Sequence, residues 1–194
     1  MDRDPIPRPV GLSRRHILQG LAALPAVGLL APAQASASGG AALIKESQRV
    51  LGALLQASRR AEEYCDLAHA FLIFPHIAAV GPEIDMGTGV LLVGTSCGGY
   101  FQMTAPREAI AAPESAKSVL ICFYDDNELA RLVRASQWKI GLDASYGASM
   151  LWRADRARGL KGAPFLVFAI DEGGVPLDRT TFAAAVSRTS LATS

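Results

Sequence analysis

Histidine and cysteine, the side chains behind most metal binding and nucleophilic catalysis, are scarce here, with three of each in 194 residues. Beyond residue 37 only His69 and His76 remain, and their spacing matches neither the i, i+4 helical zinc pair nor a Cys/His knuckle. Neither charge sign is in excess: the formal net charge is +1, too small for the basic field with which a nucleic-acid partner is gripped. No apolar run is long enough to span a bilayer. The longest candidate, residues 17–31, is broken by Gly20, Pro25 and Gly28 and falls short of the roughly 20 residues a membrane-spanning helix needs. An odd number of cysteines cannot all pair within one chain. The apolar neighbours of Cys65, Cys97 and Cys122 make buried thiols the expected state.

What is present begins with Ser13-Arg14-Arg15-His16-Ile17-Leu18-Gln19. Paired arginines, an apolar centre and the small-residue exits Ala33-Gln34-Ala35 and Ala35-Ser36-Ala37 follow in the order of a twin-arginine export signal. Residues 1–37 are therefore read as a cleaved signal, with Arg14 and Arg15 engaging the twin-arginine translocase and the periplasm of a bacterium as destination. Removing them leaves 157 residues, one domain's worth. It also removes Arg3, Arg8, Arg14 and Arg15 against Asp2 and Asp4, so the formal charge of the remainder is −1.

Residues 41–70 contain no proline and one glycine, and apolar side chains recur at Leu43, Val50, Leu51, Leu54, Ala61, Cys65 and Ala68. That period predicts one amphipathic helix whose outer face carries Lys45, Arg49, Gln56, Arg59, Arg60 and Glu63. Strand signals dominate afterwards. The aromatic, branched segment Phe71-Leu72-Ile73-Phe74 runs into Pro75, which no helix interior accepts. Gly87–Val93 and Gly99–Met103 flank a glycine-bearing connection and predict a hairpin. Residues 118–124 are a continuous apolar run, the mark of a strand buried on both faces. Asp125 three residues before Glu128 predicts a capping box opening a short helix over 128–135. Residues 138–144 and 164–170 predict the last two strands, and the tail from Ser187 to Ser194 is expected to fray.

The expected class is α+β, an N-terminal amphipathic helix packed on a mainly antiparallel, barrel- or sandwich-like sheet, with the domain over 38–186 and the tail over 187–194. No catalytic motif stands out, and neither a metal nor a cofactor is expected. Gly87-Thr88-Gly89 leads into a strand, not out of one, so close backbone packing explains it better than phosphate binding. The alternative reading is a small exported hydrolase or small-ligand-binding protein with a pocket near Cys97, His76 and Asp85.

Three stretches, Phe71-Leu72-Ile73-Phe74-Pro75-His76-Ile77, Gly87-Thr88-Gly89-Val90-Leu91-Leu92 and Trp138-Lys139-Ile140-Gly141-Leu142-Asp143-Ala144-Ser145, come in the order shown by the SYLF family of lipid-binding domains. Phe165-Leu166-Val167-Phe168-Ala169 and Gly173-Gly174-Val175-Pro176-Leu177 resemble that family's closing strand and its glycine-rich exit, so the resemblance covers residues 41–177. The chain departs from the family at Val80-Gly81-Pro82-Glu83-Ile84, where a Gly-Gly pair is usual, and at Ala109-Ile110-Ala111-Ala112-Pro113-Glu114, where a Gly-x-Gln-x-Gly entry is usual. The resemblance implies a non-enzymatic protein that associates with anionic phospholipid. Lys45, Arg49, Arg59 and Arg60 are the residues expected to meet the headgroups.

Overall fold

The computed structural model describes residues 34–107, 118–141, 150–151, 163–177 and 182–191. Arg14, Arg15 and most of the segment read as an export signal lie outside these residues, as does Asp143.

Helix α1 spans Gln34–Ala57, beginning inside the segment assigned to the signal. The helix expected to continue unbroken to residue 70 stops at Ser58, whose backbone is extended at φ −144 and ψ 104. The Ser58 hydroxyl accepts from the Ala61 amide at 3.2 Å and caps a second helix, α2, Arg59–Cys65. Both helices turn the predicted apolar face inward: Leu51, Leu54, Ala61 and Cys65 are buried.

The strands are β1 (Ala70–Phe74), β2 (Ala78–Val80), β3 (Ile84–Val93), β4 (Ser96–Pro106) and β5 (Ser118–Phe123). Helix α3 (Asp126–Arg134) follows, then β6 (Trp138–Ile140), β7 (Met150–Leu151), β8 (Phe165–Ile170) and β9 (Ala184–Thr189). They form one curled sheet in the order β6-β9-β4-β3-β1-β5-β8-β7, with β2 attached to β3. Every pairing is antiparallel except β7 with β8. The protein is thus α+β, with the helical layer on one face of a half-barrel, as the patterning predicts.

The two faces of the sheet make two cores. Against α1 and α2 lie Ile73, Val90, Leu92, Leu120, Cys122, Leu166, Phe168 and Ile170. On the other face Leu72, Phe74, Phe101, Ile121, Phe123, Phe165 and Val167 cluster with Trp138 and with Leu132 of α3. This double coverage explains why all six residues of β5 and all six of β8 are buried, and why both read as unbroken apolar runs. Trp138 packs edge-on to Phe165 at 5.1 Å and tilted to Phe123 at 5.5 Å between ring centroids.

The predicted hairpin is β3–β4, longer than expected. Its strand resumes at Ser96, because Gly94, at φ 60, turns the chain within two residues between Val93 and its partner Ser96. The register shifts between Leu91, opposite Gly99, and Leu92, opposite Cys97. Gly98 is the extra residue of that bulge.

Two further expectations are corrected. The segment from Ser187 is not a loose tail at its start: β9 runs to Thr189, with Ser187 paired to Gln102 and Thr189 to Tyr100. The capping box is incomplete as well. Asp125 does cap α3, accepting from the Asn127 amide at 2.8 Å, but Glu128 turns into the core instead of reaching back.

Candidate functional site

The outer surface of the helical layer carries the residues expected to meet lipid. Lys45, Arg49 and Arg59 are exposed and Arg60 is half-buried. Because the chain breaks at Ser58, these four do not share one helix: Lys45 and Arg49 belong to α1, Arg59 and Arg60 to α2. The face is also less cationic than its arginines suggest. Arg49 donates from Nη2 to Glu46 Oε1 at 3.0 Å, and Arg59 Nε lies 3.9 Å from Glu63 Oε1. Both are exposed pairs whose attraction water screens.

His76 extends this surface toward the sheet. Its Nε2 lies 2.8 Å from Glu46 Oε1, tying the chain ahead of β2 to α1. The β2–β3 hairpin that follows leaves Val80 53% and Ile84 42% exposed, and these two are partners in register. Arg107 holds the tip, donating from Nη2 to the Gly81 carbonyl at 3.0 Å while its Nε sits 3.5 Å from Asp85 Oδ1.

The pocket expected around Cys97, His76 and Asp85 does not form. Cys97 stands opposite Leu92 beside the β3–β4 turn, whereas Asp85 stands opposite Ala105 toward the far end of the same ladder. Seven residue steps along β3 from position 85 to position 92 separate them by about 23 Å at 3.3 Å per step. Cys97 is exposed, so its expected burial is also corrected. The two histidines are apart from each other as well: His69 precedes β1, bonding Asp126 Oδ1 at 2.9 Å, and His76 follows its other end. Among the described residues no group of His, Cys, Asp and Glu is placed to hold a metal ion.

Gly87 and Gly89 sit inside β3, and a Cβ on Gly89 would lie 2.5 Å from both the Ile73 carbonyl and the Phe74 ring. Close packing is what these glycines provide. The chain matches no family model and no curated protein.

Two side-chain groups escaped the sequence reading. Glu128, buried beside Trp138, accepts from Trp138 Nε1 at 2.8 Å and from Arg131 Nη1 at 3.0 Å. Under the helical layer, Cys65 and Cys122 bring their Sγ atoms to 3.8 Å, and the Tyr124 hydroxyl donates to the Tyr64 carbonyl at 3.3 Å. Burial pushes the Cys122 thiol well up, with Cys65 adding to it, and burial likewise raises the Tyr124 phenol, with Cys122 and Cys65 next in effect. Only the individual apolar positions of these partners were readable; that a thiol of α2 would meet one of β5 depends on how α2 crosses the sheet.

Proposed function

We propose that the protein associates peripherally with anionic phospholipid headgroups through the outer face of its helical layer, and that it is not an enzyme. The observation that carries this reading is the outward display of Lys45, Arg49 and Arg59 on helices whose apolar faces are spent on the sheet. Support comes also from the exposed apolar pair Val80 and Ile84, on a hairpin that His76 links to the same helix, and from the order of motifs resembling SYLF domains. In this reading residues 1–37 direct export by the twin-arginine route, and the membrane met is the surface facing the periplasm. No helix among the described residues is long and apolar enough to cross a membrane.

Each cation near an anionic surface contributes about 1 kcal/mol, less where Glu46 and Glu63 compete. Replacing Lys45, Arg49, Arg59 and Arg60 together with Gln should therefore weaken co-sedimentation with phosphatidylglycerol-containing vesicles at least tenfold, a loss of about 1.4 kcal/mol. Added salt should act in the same direction on the parent, because the attraction decays within roughly 8 Å at physiological ionic strength. A quadruple variant that binds like the parent, or a parent that binds neutral and anionic vesicles alike, would overturn the reading.

A further inference from the structure

Cys65 ends α2, and Cys122 lies within β5 on the face that the helices cover. Their sulfurs, 3.8 Å apart, are in direct contact, and the side chains are 5% and 0% exposed. The third cysteine, Cys97, is exposed at the start of β4, away from this interior. We propose that Cys65 and Cys122 are a disulfide-forming pair whose oxidation bolts the helical layer to a central strand of the sheet.

The geometry asks for little movement. A disulfide bond is about 2.05 Å long, so the sulfurs must close by roughly 1.8 Å, which side-chain torsion and a small shift of one short element can supply. The element available is α2, which has seven residues and is separated from α1 by the extended Ser58. Lifting α2 uncovers Cys65 first, since Cys122 is held in β5 between β1 and β8. The co-reactant is a small-molecule disulfide. The Cys65 thiolate attacks one of its sulfurs and expels one thiolate, leaving a mixed disulfide on Cys65. The Cys122 thiolate then attacks Cys65 Sγ and expels the second thiolate. Two protein thiols are oxidised, one external disulfide is reduced to two thiols, and the two protons released by the cysteines end on those thiols. The raised affinity of buried Cys122 for its proton makes the closed molecule a slow reactant, so the bond forms during folding or when α2 opens.

Position 65 is 57 residues from position 122 along the chain, and cross-linking a segment of that length restricts the unfolded chain strongly. The test uses the full-length chain and its Cys97→Ser variant, each exposed to oxidised glutathione both when folded and while refolding from urea. The samples are then denatured, alkylated with N-ethylmaleimide and weighed by mass spectrometry. Without oxidant the parent should take up three maleimides and the variant two; after oxidant the variant should take up none and the parent should carry one adduct, maleimide or glutathione, on the exposed Cys97, with a digest linking the peptides of Cys65 and Cys122. The oxidised variant should melt higher than the reduced one by about 5–10 °C. Two labels on Cys97→Ser after both treatments, a glutathione adduct on Cys65 or Cys122 that never resolves, or a link through Cys97 in the parent would each overturn the assignment.

Discussion

Glu128 is only 4% exposed, yet both of its oxygens are occupied, one by the Trp138 indole N–H and one by Arg131. Burying a carboxylate is tolerable only with such partners. Glu128→Ala strands the indole donor inside the aromatic cluster, an unsatisfied group worth about 1–3 kcal/mol, and should lower the urea midpoint accordingly. Glu128→Gln keeps an acceptor for Trp138 and should lose clearly less, because Arg131, half exposed, can turn to water. Equal losses for the two variants would show that the indole bond is not what Glu128 is there for. The spacing Asp125 to Glu128 signalled a helix start correctly, but spacing alone cannot say whether an acidic side chain turns back to the backbone or inward. That choice was made by Trp138, which meets Glu128 only once β6 pairs with β9 at the edge of the sheet. Cys97 misled for a related reason: its sequence neighbours include glycines of a bulge, which leave it at the surface.

Among the elements, β3 and α1 use glycine in opposite ways. A Cβ at Gly89 would collide with the Ile73 carbonyl and the Phe74 ring, whereas one at Gly52 of α1 meets nothing within 4 Å. Gly89→Ala should therefore force β1 and β3 apart and lower stability by about 1–3 kcal/mol. Gly52→Ala, in a helix interior, should raise it by up to about 1 kcal/mol. Thermal melts of the two variants check this; a Gly89→Ala protein as stable as the parent would mean that the strands part easily there. The strands that were readable, β5 and β8, are those whose burial on both faces writes itself into composition. β9, Ala-Ala-Val-Ser-Arg-Thr, carries little signal of its own and is a strand because β4 and β6 offer it ladders on either side. The break at Ser58 was hidden because Leu54, Ala61 and Cys65 keep helical phase across it, while the cap that makes it is a single hydroxyl.

At the scale of the whole molecule, the proposed lipid-facing residues were legible as a charge stripe, but their ion pairs and their division between two helices depended on the three-dimensional path of the chain. The same holds for the buried cluster beneath them, and that cluster sets how stability should respond to pH. Burial raises both the Cys122 thiol and the Tyr124 phenol above their ordinary values. In the unfolded chain these groups lose their protons near pH 9 to 10, about where free thiols and phenols titrate; in the folded chain they keep them. Over that range the native state binds more protons than the unfolded one, so stability falls as pH rises. Below about pH 8 both states are protonated at these sites, and their contribution is fully present and constant. Each group contributes a slope of at most about 1.4 kcal/mol per pH unit. Urea unfolding in the presence of a reductant, at pH 7.5, 9 and 10.5, should show a midpoint that declines across the two higher values. Tyr124→Phe, which removes the ionisable phenol along with its bond to the Tyr64 carbonyl, should start lower at pH 7.5 and then decline less steeply. A midpoint unchanged to pH 10.5 in the parent would mean that water reaches Cys122 and Tyr124, and that the helical layer does not seal the face of the sheet it covers.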